Sequence, residues 1–522
     1  MSNQPSRRVP FDPAAARRSV FQALVDARRE FGGSRVALVD GDDRAFTYDE
    51  IVRASFALGS ALKAGTRPGE CVGVMLPTGA AAALTFFALS ATGRIPTMMN
   101  FTSGLTGMKS ALYTAQVKRL VTARRLIEVA GLEDLIAGLT GIDIVYLEDV
   151  RKNLSLANKL TAVAGKMAPG LLAARSDPDS PGVILFTSGS EGEPKGVALS
   201  HANLLANVAQ VRAHIGIYPD DVLFNPLPVF HCFGLTGGTL LPLIAGVKVI
   251  CHPSPRQPKE IVRRIQQFGA TVLLSTDTFI NQYARTSDSG ELQSLRMAVC
   301  GAERLRDETR AFVRRKSGIT LLEGYGVTET APVVAVNQIE TNRPGTVGQL
   351  MPGMEARIEP VEGIPGAGEL FLRGPNIMLG YIKPDAPGKI VPPTGGWHDT
   401  GDVVSIDEDG FIAIRGRLKR FAKIGGETVS LAVVENVAAA LWPDNAHAAV
   451  AVPDGRKGEQ IVLLTDAKEA RREELIVWAR NHGVPELSVP RRVVIVDSIP
   501  LLATGKTDYV TVQKIAASEP AS

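Results

Sequence analysis

Between Val20 and Thr122 the chain alternates helix-period segments with short apolar runs. Val36–Val39 and Val72–Met75 read as buried strands. Tyr48-Asp49-Glu50 opens an amphipathic helix that continues through Leu62. Lys118–Thr122 is a further strand, and Ala123-Arg124-Arg125 leads into a helix. This alternation predicts an α/β class fold with a layered parallel sheet. Gly79 to Thr92 is the longest apolar stretch and reads as a buried helix, too short for the roughly 20 residues a bilayer span needs. Val183–Phe186 is another strand, and His201 opens a helix that runs to about His214. Met297–Cys300 and Leu321–Glu323 are strands that each run into a loop. From Met354 to Ile414 short strands punctuated by Pro and Gly predict a small β-barrel. Beyond it, a helix over Val429–Ala440, strands over Ala448–Val452 and Ile461–Leu464, and a helix over Arg471–Asn481 predict a small α+β domain.

One segment has its own pattern. Lys152, Lys159, Lys166 and Arg175 are interleaved with Leu154, Leu156, Leu160, Val163, Met167 and Leu171. This basic amphipathic stretch reads as a packed surface helix, with an interfacial helix as the sharper alternative.

Composition narrows the class. A chain of 522 residues with 45% hydrophobic content supports a large domain and at least one more. The formal net charge of +3 is dispersed and gives no nucleic-acid footprint. Arg7, Arg8, Arg17 and Arg18 mark a solvated lead-in, with lipid-surface contact as the alternative. The four cysteines show no CxxC pairing, which fits a reducing, cytoplasmic compartment. No secretory signal is expected, and peripheral contact with the inner membrane face stays open.

The candidate chemistry starts at Val183. The strand runs into Thr187-Ser188-Gly189-Ser190-Glu191-Gly192-Glu193-Pro194-Lys195-Gly196. Glycines let backbone N–H groups turn inward and the hydroxyls add donors, so the concavity suits a polyphosphate, with Lys195 as a mobile positive charge. It is not a Walker A loop: at Gly505-Lys506-Thr507, Pro500 stands where that motif's first glycine belongs. Ser188-Gly189-Ser190-Glu191-Gly192 misses the G-x-S-x-G nucleophile elbow by its first residue.

This segment resembles the phosphate-loop signature of the adenylate-forming superfamily of acyl-CoA synthetases, luciferases and peptide-synthetase adenylation domains. Ser190 and Glu191 stand in place of that signature's two later threonines. The resemblance runs from about residue 30 onward and implies a large N-terminal domain, residues 1–416, for ATP and the acid, of layered α/β subdomains plus the barrel. A small mobile α+β C-terminal domain, residues 417–522, would follow. It implies that Thr187, Ser188, Gly189, Ser190, Gly192 and Lys195 bind phosphates. Gly301 and Ala302 would border the adenine, and Tyr325, within Gly324-Tyr325-Gly326, would pack on its face. Thr328 would reach the α-phosphate and Glu329 would hold Mg²⁺, a sensible site for a hard cation shared with phosphate oxygens. Asp402 would accept from the ribose hydroxyls and Arg417 would contact ribose or phosphate. Lys506 would enter the site for adenylation. The pivot of the linker is Arg420, where aspartate or lysine is common, and Tyr509 stands where an arginine is frequent. His231 would line the carboxylate pocket. Amino-acid-activating relatives place an aspartate there, so an amino-acid substrate is not expected.

Gly234, Gly237 and Gly238 imply either tight helix packing or a channel for an acyl tail. Thr187–Gly192, Arg417–Lys423, His482–Leu487 and Pro500–Asp508 resemble one subgroup, the acyl-carrier-protein synthetase half of bacterial bifunctional 2-acylglycerophosphoethanolamine acyltransferase. None of the seven histidines has an Asp five residues on, so the H-x-x-x-x-D of that enzyme's transferase half is not expected here. The expectation is a ligase that uses ATP and Mg²⁺ to activate a fatty acid as acyl-AMP and passes it to CoA or holo acyl-carrier protein. A short-chain or aryl acid–CoA ligase and a nucleotide-binding scaffold with degenerate catalysis are the alternatives.

Overall fold

The computed structural model describes residues 9–188, 194–424, 427–454, 458–501 and 507–518. It divides into two compact units. The first holds the described residues up to Glu355 together with Arg373–His398, and the second holds Ala356–Leu372 and the described residues from Asp399. This contact-based division falls before the expected linker at residue 417.

The first unit is built on two sheets. In the nine-stranded one, Val36–Val39, Lys248–Cys251, Val222–Asn225, Val272–Ser275, Met297–Cys300 and Thr320–Gly326 lie side by side and parallel. Ala45–Thr47 closes one edge antiparallel, and Val333–Val336 with Gln349–Leu350 the other. Helices cover such strands on both faces, so they are apolar along their whole length rather than alternating. Val272–Ser275 and Met297–Cys300 are buried at every position. The eight-stranded sheet carries Cys71–Val74, Ile95–Met98, Arg119–Thr122 and Asp143–Tyr146 in parallel, then the antiparallel hairpin of Pro181–Ser188 and Pro194–Ser200. The helix Tyr48–Leu62 begins on a reciprocal cap between Thr47 and Glu50, and His201–His214 on one between Ser200 and Asn203. Ala80–Ala91 carries no charge and is buried almost all round, as its composition requires.

Several boundaries differ from the sequence reading, each because pairing with another strand, local or distant, sets the element. The strand from Thr320 continues through Gly324, Tyr325 and Gly326, expected to be loop, because Gly324 and Tyr325 pair with Val336 and Ala335. Lys195 lies on a strand opposite Thr187. The short strands expected to close a barrel are shared between two sheets. Gly380–Lys383 and Ala386–Val391 extend the eight-stranded sheet, and Glu355–Pro360, Gly368–Arg373, His398–Ile406 and Ile412–Arg417 form a four-stranded one. Val429, expected to be helical, ends up in the strand Glu427–Ser430, and the helix starts at Leu431.

The basic segment forms the helices Leu147–Lys152, Leu156–Met167 and Pro169–Leu172. The middle helix packs through its small residues. Ala162 and Gly165 are its buried positions, and a Cβ on Gly165 would stand 2.3 Å from the Phe56 ring. Its leucines therefore point away from the protein.

The second unit adds a five-stranded sheet of Glu427–Ser430, Phe421–Ile424, Gly458–Thr465, His447–Asp454 and Arg492–Ile495. The helices Leu431–Leu441, Arg472–Asn481 and Tyr509–Ser518 accompany it. Two apolar clusters fill it, one around Val434, Leu463 and Leu475, the other around Val450, Val462 and Val512.

Candidate active site

Three strands of the first unit bring one cation and one carboxylate to the same place. Thr187 pairs with Lys195 across the hairpin, and Tyr381 pairs with Val197 on the next strand. The Lys195 Nζ stands 5.9 Å from the centroid of the Tyr381 ring. The Tyr381 hydroxyl in turn donates to Glu329 Oε1 at 2.6 Å. Glu329 is also held by its backbone, because Met378 N–H donates to its carbonyl at 2.8 Å. The expected phosphate-binding Lys195 and metal-binding Glu329 are thus joined through Tyr381, a residue sequence reasoning passed over. The sequence carried no signal for it, since the pairing of Tyr381 with Val197 is set by the sheet.

Behind Glu329 lies a buried amide network. Asn207, Gln210, Thr330 and Asn376 are all fully buried. Asn376 Nδ2 donates to the Thr330 carbonyl at 2.7 Å, and Gln210 Nε2 donates to Asn376 Oδ1 at 3.2 Å. Asn207 closes on the strand after the turn, donating to the Val333 carbonyl at 2.8 Å and accepting from its N–H at 3.0 Å. Buried amides of this kind are costly unless satisfied, and once satisfied they fix geometry. Here they fix the Thr328–Thr330 turn that presents Glu329. Ala331, next in line, holds a left-handed φ of 67°. In the sequence the helical part of the network showed only as Asn207 and Gln210, three apart in His201–His214.

Gly301 and Gly324 follow the paired residues Cys300 and Glu323, so they are neighbours at the ends of adjacent parallel strands. That is where α/β sheets place ligands. A Cβ on Gly301 would stand 3.3 Å from the Phe233 ring and 3.6 Å from the Gly324 carbonyl, and Ala302 adopts a left-handed φ of 69°. A Cβ on Gly326 would stand 2.2 Å from the Pro332 carbonyl, so no side chain fits there. Thr328 opens the turn, and Tyr325 is half-buried on its strand.

The same Phe233 ring covers Gly237, whose Cβ would meet it at 3.2 Å. Phe233–Leu240 is wound as a π-helix, a form concentrated at functional sites. Gly234 and Gly238 are needed for packing: a Cβ on either would lie 2.2 Å from the Pro228 carbonyl or from Asn225 Nδ2. His231 is half-buried, with its ring centroid 4.9 Å from that of Phe230, which stacks edge-on against Phe101. Cys232 is buried, and its thiol is pushed up to about 12, first by burial and in lesser part by the charge of Glu329. The His231–Phe233 segment and Glu329 therefore share one electrostatic neighbourhood.

Asp402 and Arg417 belong to the second unit, where they pair across two strands. Asp402 is buried, and its Oδ1 accepts from Arg417 Nε at 3.0 Å. Gly189, Ser190, Gly192 and Lys506 lie outside the described residues, as does Glu191. For Mg²⁺, Glu329 offers a carboxylate oriented by a phenol, a hard oxygen donor. Mg²⁺ is commonly held by one or two carboxylates plus substrate phosphates, so the residue fits a cation that arrives with a nucleotide.

Comparison with known proteins gives a consistent result. The family model described as AMP-binding enzyme matches residues 25–382, and that described as AMP-binding enzyme C-terminal domain matches residues 434–506. The chain is 32% identical over 336 residues to a long-chain-fatty-acid–CoA ligase of Salmonella typhimurium, covering 62% of this chain and 59% of that protein. It is 30% identical over 478 residues to a feruloyl-CoA synthase of Amycolatopsis sp, covering 88% and 92%. The fold matches ATP-bound MatB from Rhodopseudomonas palustris with a TM-score of 0.82 at 24% identity, covering 96% of this chain and 99% of that one. It matches the anthranilate CoA ligase AuaEII, in complex with anthranoyl-AMP, with a TM-score of 0.81 at 22% identity, covering 97% and 100%.

Proposed function

Because the chain belongs to the AMP-binding enzyme family, we propose that it is an ATP-dependent acid:thiol ligase acting on medium- or long-chain fatty acids. The observation that carries the reading is the Lys195–Tyr381–Glu329 cluster beside the glycine-lined strand ends. A carboxylate is a poor acceptor for a thiol, because its oxygen is a bad leaving group. Attack by the fatty carboxylate oxygen on the ATP α-phosphorus forms a new O–P bond and breaks the bond to pyrophosphate. The thiolate sulfur then attacks the acyl carbon, and AMP leaves with the electron pair of the C–O bond.

In this chain Lys195 and the Thr187 hydroxyl bind phosphate, and Thr328 reaches the α-phosphate. Glu329 is the Mg²⁺ ligand; a bound Mg²⁺ supplies charge neutralisation on the phosphate oxygens. His231 lines the end of the pocket that takes the carboxylate. Asp402 accepts from ribose hydroxyls and Arg417 donates nearby. Lys506 bridges the substrate carboxylate and α-phosphate, holding them in attack geometry. That role rests on its motif, and a mobile C-terminal domain starting at residue 417 would carry it. CoA and holo acyl-carrier protein are the two thiols to compare. The first follows the names of the relatives, the second the likeness of four motifs to an acyl-carrier-protein synthetase. A cytoplasmic location goes with these substrates. No described helix is long and apolar enough to cross a membrane.

The test is pyrophosphate release with ATP, Mg²⁺ and a panel of fatty acids, followed by thioester formation with each thiol. No release at any chain length would refute the reading, and ATP binding without turnover would favour a scaffold. Lys506→Ala should cripple adenylation and spare thioester formation from supplied acyl-adenylate. A second reading, a short-chain or aryl acid–CoA ligase, is favoured by one observation: the Phe233 ring packs against both Gly237 and Gly301, filling space that their missing side chains leave. Preference for aryl acids, shifted toward longer fatty acids by Phe233→Ala, would support it.

A further inference from the structure

The helix Leu156–Met167 turns its apolar stripe outward. Leu156, Leu160, Val163 and Met167 are 73%, 61%, 54% and 81% exposed, and Leu171 in the next turn is 85% exposed. At 3.6 residues per turn the first four fall within a sector of about 60°. The opposite side, through Ala162 and Gly165, is the one buried on Tyr48–Leu62. An outward stripe of this kind on a monomer marks an interaction surface, since single exposed leucines are common but aligned ones are not.

The charges around the stripe are of one sign. Residues 153–176 contain no Asp or Glu, while Arg151, Lys152, Lys159, Lys166 and Arg175 lie within or beside them. Lys159 and Lys166 flank the stripe on one side. Three of the acids near it already have cationic partners. Asp149 pairs with Arg124 at 2.8 Å, Asp179 with Arg17 at 2.7 Å, and Asp49 with Lys166 at 2.8 Å and Arg28 at 2.6 Å. Arg151, Lys152, Lys159 and Arg175 have no ion pair among the described residues.

We propose that the outward face of residues 156–172 is a docking surface for an anionic lipid bilayer. The helix lies in the plane of the interface, its leucines and Met167 among the upper acyl chains, with Lys159 and the neighbouring Lys152 at the headgroup phosphates. Apolar burial and attraction to anionic lipid act together on such helices. A second copy of the chain fits the surface less well. Paired face to face, two such helices would offer no acid to the basic flank. A patch on the order of a few hundred Å² also falls below the roughly 800 Å² per partner of a stable complex. The inference does not depend on which acid or thiol the enzyme uses.

The experiment is cosedimentation of the full chain with vesicles of phosphatidylcholine with or without phosphatidylglycerol, at low and high salt, alongside sedimentation velocity without lipid. The unaltered chain should bind the anionic vesicles, more weakly at high salt, and stay monomeric. Leu160→Ser, Met167→Ser and Leu171→Ser together should cut binding at least about tenfold, by loss of apolar burial. Lys152→Gln and Lys159→Gln should each cut it about fivefold, the equivalent of one surface lysine. These side chains are exposed, so the melting temperature should not move; if the triple variant fails to fold, the glutamine variants carry the test. Absence of binding to anionic vesicles, equal binding by the variants, or a dimer that the triple variant dissociates would each overturn the proposal.

Discussion

Glu435 is the single acceptor that ties together four segments of the second unit, so its removal should be costly in a specific, coupled way. Its Oε1 accepts from Arg420 at 2.8 Å, from the Tyr509 hydroxyl at 3.0 Å and from the Ala449 N–H at 2.8 Å. The Arg420 guanidinium also lies 3.6 Å from the centroid of the Tyr509 ring. Burial first, and then Glu435, pushes the Tyr509 phenol up to about 12, so it stays a hydrogen-bond donor at neutral pH. Removing one partner of a buried ion pair costs about 3–5 kcal/mol. The side chains of Arg420 and Glu435 are 17% and 19% exposed, so solvent recovers part of that and Glu435→Ala should cost about 2–3 kcal/mol. Arg420→Ala should cost about 2 kcal/mol, from the pair and the cation–π contact. Because both substitutions remove the same interaction, the double variant should lose about 1–2 kcal/mol less than the sum. The assay is urea unfolding followed by tryptophan fluorescence in a Trp397→Phe background, which leaves Trp442 and Trp478, both in the second unit, as reporters. Fully additive losses, or single losses below about 0.5 kcal/mol, would refute the coupling.

The remaining expectations concern the site and the pH response. Tyr381→Phe should lower kcat/KM for pyrophosphate release about tenfold and raise the Mg²⁺ needed for half-maximal rate, since Glu329 loses its orienting donor; an unchanged Mg²⁺ dependence would count against Glu329 as the metal ligand. Asn376→Leu should lower stability by about 2–3 kcal/mol, because Gln210 and the Thr330 carbonyl lose a buried partner, and equilibrium unfolding measures it. His201 is buried, and its Nδ1 accepts from the Val20 N–H, so burial lowers its pKa to about 4. The unfolded chain binds that proton more readily, near pH 6.5. The stability is therefore complete above about pH 6.5 and declines as pH falls toward 4, by about 2 kcal/mol between pH 7 and pH 5. Urea midpoints at the two values should show a smaller difference in His201→Gln, and an identical one would dismiss the assignment.

Periodicity and motif order were enough to read the α/β class, the parallel strands at Val36–Val39 and Met297–Cys300, and the helices Tyr48–Leu62 and His201–His214. These signals are local: a strand covered on both faces must be apolar throughout, and a helix start needs its cap. Lys195 and Glu329 stood out as candidates just as early, because one fixed string of residue types carries each. That they are joined through Tyr381 was not, since the contact links residues 186 and 52 positions apart, and only sheet pairing sets it. The same holds for the strand continuing through Gly326, and for Asn207, Gln210 and Asn376, whose polarity reads as surface until the fold buries it. Arg420 and Tyr509, two separate departures from a family pattern in the sequence, meet over Glu435 in space. The basic amphipathic helix makes the point most directly. Its sequence announces an apolar stripe but not which way it faces, and Gly165 against Phe56 decides that by letting the helix pack through its small residues and leave its leucines outside.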